Sequence, residues 1–151
     1  MPDVVDQLTR SRMMSSIRAA NTQPELQIRK GLHARGFRFR LHAKDIPGKP
    51  DLILPRWHTA IFVHGCFWHG HDCHLFKMPS TRPEFWSAKI ERNRTRDATV
   101  RRQLDAAGWR DLVIWECALK GKTRPAFGEV VDRTETFLRG NAVTGEIRGY
   151  L

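Results

Sequence analysis

The chain is 151 residues long, 40% hydrophobic and 28% charged, proportions of a water-soluble chain with room for one core. It has no apolar run of the roughly 18–20 residues that a spanning helix needs and no basic-then-apolar leader, so we expect one cytoplasmic domain over 1–151 with no membrane association. Its 26 Lys and Arg against 16 Asp and Glu give a net charge of +10, which excludes an acidic surface and favours a polyanionic partner such as nucleic acid, while three cysteines exclude a complete set of disulfides.

Residues 1–21 carry a short amphipathic pattern, with Met13, Ile17 and Ala20 on one face and Arg10, Arg12 and Arg18 nearby. A basic arm of this kind suits a nucleic-acid contact. TQPELQIRKGLHARG predicts a helix: Thr22 caps it, Pro24 suits the first turn, Glu25 completes a capping box and Gly36 stops it. FRFRLHA then alternates, with Phe37, Phe39, Leu41 and Ala43 on one face, which predicts a half-buried strand. DIPGKP is a turn, and DLIL and TAIFVHG are apolar strands that PRWH joins as a hairpin.

After the loop HGCFWHGHDCHLF comes a long helical stretch, TRPEFWSAKIERNRTRDATVRRQLDAAGW. Thr81 and Glu84 offer a second capping box, Gly108 a stop, and Ile90, Asn93, Asp97, Val100 and Leu104 share one stripe. RDLVIWEC predicts another buried strand. TRPAFGEVVDRTETFLRG predicts a last helix with Phe127, Val131, Thr134 and Leu138 on one side. The tail, 141–151, shows no clear pattern. The element order predicts an α/β fold, a small mixed sheet flanked by helices.

The loop holds four histidines and two cysteines among three aromatic rings. Cys66, His71 and Cys73 are spaced C-x4-H-x-C, and Cys117 closes the last predicted strand. Three thiolates and an imidazole make a closed, structural zinc site that would pin the loop to the sheet, with His74 as the alternative to His71. His64 and His69 remain outside that set and suit proton transfer near neutral pH. Asp51 opens an apolar strand beside the one that His64 ends, a position suited to a Mg²⁺ ligand. Glu25 reads as a helix cap. Asp97 lies on the inward stripe, where a carboxylate needs a histidine or arginine partner.

HGCFWHGHDCHLFKMPSTRPEFW, with PGKPDLIL before it and WECALKG after it, resembles the very-short-patch-repair endonucleases of bacteria, from about Arg10 to Lys122. The resemblance implies a restriction-endonuclease-like fold. It also implies an enzyme that cuts DNA on the 5′ side of the thymine in a T·G mismatch, within a short cytosine-methylation site where 5-methylcytosine has deaminated. It makes Asp51 the Mg²⁺ ligand and His69 the catalytic histidine, with His64 assisting and Glu25 and Asp97 as supporting acids. It makes Cys66, His71, Cys73 and Cys117 the Zn²⁺ ligands, and Phe67, Trp68 and Trp86 an aromatic wedge, with Arg12 and Met14 of the arm also on DNA. A mismatch-repair matchmaker and a repair polymerase are the implied partners of a monomeric enzyme.

The general restriction-enzyme pattern has an acidic residue and a lysine two apart on the second strand; Phe62 and His64 stand there here. Val63 lies between them, where a metal contact through the backbone carbonyl is one that valine can serve. Two other readings remain. A zinc-stabilised DNA-binding module would keep the charge, zinc and wedge without needing Asp51 or His69. A ββα-type metal nuclease would need its helix closer to the hairpin.

Overall fold

The computed structural model describes residues 22–150; the amphipathic pattern of 1–21, with Arg12 and Met14, lies outside them. Helix α1 (Gln23–Ala34) starts as its capping box predicts, with the Thr22 N–H donating to the Glu25 carboxylate at 3.3 Å. It buries Ile28 and Leu32.

Strands β1 (Arg40–Leu41), β2 (Leu52–Leu54) and β3 (Thr59–His64) follow, β2 and β3 joined by a 3₁₀ turn at Pro55–Trp57. Helix α2 (Pro83–Ala106), β4 (Arg110–Trp115), a 3₁₀ turn at Glu116–Ala118, helix α3 (Phe127–Arg139) and β5 (Thr144–Ile147) complete the described chain. The sheet order is β1-β2-β3-β4-β5. The first two pairings are antiparallel and the last two parallel, because helices α2 and α3 supply the crossovers that parallel neighbours require.

Helices cover both faces. Ile28 and Leu32 of α1 and Val130, Val131 and Leu138 of α3 pack on Leu52, Leu54, Ile61, Leu112 and Ile114. Leu104 and Val100 of α2 pack on Ile53, Ala60 and Phe62 from the other side. Interior strand β4 is therefore buried on both faces, which explains its unbroken apolar run. Among the described residues no helix is long and apolar enough to cross a membrane.

Four expectations change. FRFRLHA shrinks to a two-residue strand, because His42 adopts a left-handed φ of 47° and ends it. Leu41 is exposed, and Ala43 joins the opposite core cluster from Phe37. Helix α2 is capped by Arg82 in a left-handed conformation, with no side-chain cap bond from Thr81. On α3 Phe127 is exposed and Val130 takes its place in the core. The tail supplies β5, so the strand before Cys117 is not the last; Asp111–Ile114 pair with Thr144–Ile147.

Candidate active site and metal cluster

The stretch from Gly65 to Arg82 has no strand or helix of its own, so something other than a hydrogen-bond ladder must hold its shape. Cys66, His71, Cys73 and Cys117 converge here as a group that could hold a metal ion: their ligand atoms all lie within 4.8 Å of one another. His71 Nδ1 is 3.5 Å from Cys66 Sγ and 3.6 Å from Cys117 Sγ. His74 instead turns to Thr123 Oγ1 at 3.3 Å, which decides between the two candidate imidazoles.

Burial pushes the Cys66 and Cys117 thiols above their ordinary values. Burial, and then the charge of Arg148, holds His71 below its own. Crowded thiols that resist ionisation beside a neutral imidazole are the donor set that a soft-tolerant divalent cation such as Zn²⁺ fits, since such a cation displaces the thiol protons. Gly70 completes the fold of this loop: its φ is 61°, and a Cβ there would stand 2.7 Å from Ile90 Cγ2.

Beside the cluster, His69 Nδ1 lies 2.5 Å from Asp97 Oδ2. Asp97 thus meets a histidine, one of the two partners its inward position predicts. An ionised carboxylate accepts only, so Nδ1 carries the proton of this bond, and in the neutral ring Nε2 is the nitrogen left to accept one. His64 stacks on His69, with ring centroids 3.8 Å apart and planes 3° from parallel. Burial first, then the neighbouring His69, lowers His64 to about 3, so His64 is neutral at physiological pH.

Trp115, at the end of β4, is a residue that sequence reasoning missed. Its ring stacks on His71 at 3.9 Å and stands edge-on to His64 at 5.4 Å and His69 at 6.1 Å. One indole therefore separates, and touches, the cysteine–histidine cluster and the histidine pair.

A third group combines Glu25, His42 and Asp51. Asp51 Oδ2 accepts the Val63 N–H at 2.7 Å. In an extended strand the N–H and C=O of one residue face the same edge, so the Val63 carbonyl faces the Asp51 side. Burial pushes Asp51 up to about 6; Val63 N–H opposes this, Glu25 adds to it, and His42 and Arg29 oppose it. Glu25 is buried and meets His42 Nε2 at 2.6 Å and Arg29 Nη2 at 3.0 Å. It is both a helix cap and part of this acidic site. His42 was also missed, since its role depends on the left-handed turn rather than on the alternation around it.

Phe67, Trp68 and Trp86 are half-buried and belong to neither core cluster. Phe67 stands 5.1 Å from Trp68 and 5.5 Å from Trp86, and Trp68 is 5.9 Å from Trp86. Asn93 of α2 donates to the Trp68 carbonyl at 2.8 Å, tying the loop to the helix that carries Trp86. Along α2, Arg92, Arg94, Arg96 and Arg102 are exposed.

The family model described as DNA mismatch endonuclease Vsr matches residues 2–75. The DNA mismatch endonuclease Vsr of Escherichia coli (strain K12) is 40% identical over 147 residues, 97% of this chain and 94% of its own length. The type II nicking enzyme V.XorIIP of Xanthomonas oryzae pv. oryzae is 47% identical over 119 residues, 79% of this chain and 88% of its own. The type II nicking enzyme V.NmeAIP of Neisseria meningitidis is 40% identical over 122 residues, 81% and 87%.

Proposed function

We propose, because this chain belongs to the Vsr family of DNA mismatch endonucleases, that it nicks duplex DNA on the 5′ side of the thymine in a T·G mismatch. The context is a short cytosine-methylation site, and the lesion repaired is deaminated 5-methylcytosine. The observation that carries this reading is one loop, held by three cysteines and a histidine, that bears both a half-buried ring cluster and a histidine paired with a carboxylate.

The rings supply recognition. Inserting an apolar wedge between base steps costs about a few kcal/mol per step, and a mispaired step costs less to open. A wedge that does not yield converts that difference into preference. Phe67 and Trp68 are stiffened by the cluster on either side of them, for which Zn²⁺ is the proposed ion, and Trp86 by its helix.

The histidines and acids supply chemistry. Asp51 and the Val63 carbonyl would hold Mg²⁺, with Glu25 shaping the acidic surroundings. That ion would neutralise charge at the scissile phosphate and acidify a water. His69 Nε2 takes the proton of the attacking water while Asp97 holds Nδ1–H and supports the charge that forms. Neutral His64 covers one face of the His69 ring without adding charge of its own. The α2 arginines suit backbone phosphates. A monomer acting on cytoplasmic DNA, with a mismatch-repair matchmaker before it and a repair polymerase after it, completes the reading.

The direct test is cleavage with Mg²⁺ on duplexes containing each mismatch in several sequence contexts; nicking confined to T·G within one short context is expected, and equal nicking of paired duplex would refute it. In the same assay Trp68→Ala should lose roughly tenfold or more of the mismatch-over-paired preference, as one stacking contact of about 1–3 kcal/mol implies, while binding at low salt falls less. Equal losses on both duplexes would remove the wedge from the account.

A pH dependence follows from Asp51. A metal ligand must be ionised, and this carboxyl is held near 6. Mg²⁺ should therefore raise the melting temperature more at pH 7.5 than at pH 5, and nicking should fall as pH drops through about 6. A Mg²⁺ effect that is equal at both pH values would place the ion elsewhere.

A further inference from the structure

The last described residues pass directly over the cysteine–histidine cluster. Arg148 Nη1 donates to Asp72 Oδ1 at 2.6 Å and Nη2 to the Asp72 carbonyl at 3.0 Å. Asp72 lies between His71 and Cys73 in the chain, so one forked guanidinium grips the loop between two cluster residues. The same carboxylate is 3.7 Å from His71 Nε2, the ring nitrogen not turned to the thiols. Gly149 N–H donates to Cys117 Sγ at 3.3 Å.

The approach at Gly149 leaves no room for a side chain. A Cβ there would stand 2.6 Å from both the Cys117 carbonyl and Thr123 Oγ1. Tyr150 N–H then donates to the Thr123 carbonyl at 2.8 Å, holding the segment down. Arg148 Nε is buried and has no hydrogen-bond acceptor among the described residues.

Charge explains why such contacts belong here. Three thiolates and a neutral imidazole around a divalent cation leave a net negative charge, which is costly in a buried place. The Gly149 N–H dipole directed at Cys117 Sγ offsets part of it, while Arg148, paired with Asp72, holds the backbone between two cluster residues; outer contacts of this type fix the orientation of ligands.

We propose that Arg148 and Gly149 are positioning residues of the metal cluster, clamping the Cys66–Cys73 loop and stabilising the Cys117 thiolate from the far end of the chain. The inference rests on the reading of the cluster as a zinc site. It makes the segment after β5 a determinant of metal retention, although it contains no ligand.

The test measures zinc affinity of the full-length protein in competition with a chromophoric chelator, at a temperature where far-UV circular dichroism shows every variant folded. Arg148→Ala should weaken zinc binding about 10–100-fold. Arg148→Lys should recover part of the loss, because an ammonium restores charge but cannot fork between Asp72 Oδ1 and its carbonyl. Asp72→Asn, at an exposed side chain, serves as the second variant should Arg148→Ala not fold, with a loss of about tenfold expected. A wild-type protein that binds zinc while these variants bind it equally well overturns this inference alone. A wild-type protein that binds none overturns the zinc reading and this inference with it.

Discussion

Asp51→Asn should abolish Mg²⁺-supported nicking, by roughly a thousandfold or more, and at the same time make the metal-free protein more stable at pH 7.5. Both effects have one cause. The carboxyl is raised from 3.8 to about 6 chiefly by burial, so the folded state prefers it neutral. That preference contributes stability fully below pH 3.8, and the contribution is lost as pH rises through about 6. Above this, ionised Asp51 costs about 3 kcal/mol, and an amide avoids the cost while still accepting the Val63 N–H.

The expected gain in melting temperature is on the order of 5–10 °C without divalent metal at pH 7.5, shrinking toward zero near pH 4. Adding Mg²⁺ should close part of the gap by stabilising only the wild type. A variant that nicks at the wild-type rate would remove Asp51 from the chemistry. A variant destabilised equally at both pH values would show that its role is structural packing. The same variant separates a nuclease from a non-catalytic binding module, since a module would have no reason to retain a strained carboxyl.

His69→Ala should lower single-turnover nicking about 10²–10⁴-fold, the usual contribution of a positioned general base, with mismatch binding nearly unchanged. Asp97→Asn should cost less, about 10–10²-fold, because the imidazole stays in place but its tautomer is no longer fixed. The double variant should resemble His69→Ala rather than the product of the two, since the residues act as a unit. Additive losses would mean that Asp97 acts on something other than His69. The short Asp97–His69 contact and the parallel His64 ring make the additive result the one that this geometry does not allow.

What could be read in advance was local chemistry. The capping box at Thr22 and Glu25, the hairpin around Pro55–Trp57 and the thiol spacing in the loop depend on residues close in sequence, and all three appear in the structure. That Asp97 would need a partner was legible because helical periodicity turned it inward, but the choice between histidine and arginine was left to the fold. Interactions across long separations were not. His42 reaches Glu25, 17 positions away, only through a left-handed turn. Trp115 read as one more apolar residue in a strand. Strand β5 escaped notice because Gly145 and Glu146 interrupt any alternation, and an edge strand paired on one side needs little apolar pattern. Spacing favoured His71 but left His74 as an alternative; the fold separates them by setting His71 against the Cys66 and Cys117 sulfurs and His74 against Thr123.

The ring pair and the proposed proton acceptor occupy consecutive positions, 67 to 69, between Cys66 and His71 of the cluster. Adjacent Cα atoms are a fixed 3.8 Å apart. If the rings part the base step and His69 serves the cut, as proposed, the gap between the parted step and the severed linkage is gauged by covalent bonds, and the enzyme carries its own ruler for the offset at which it cuts.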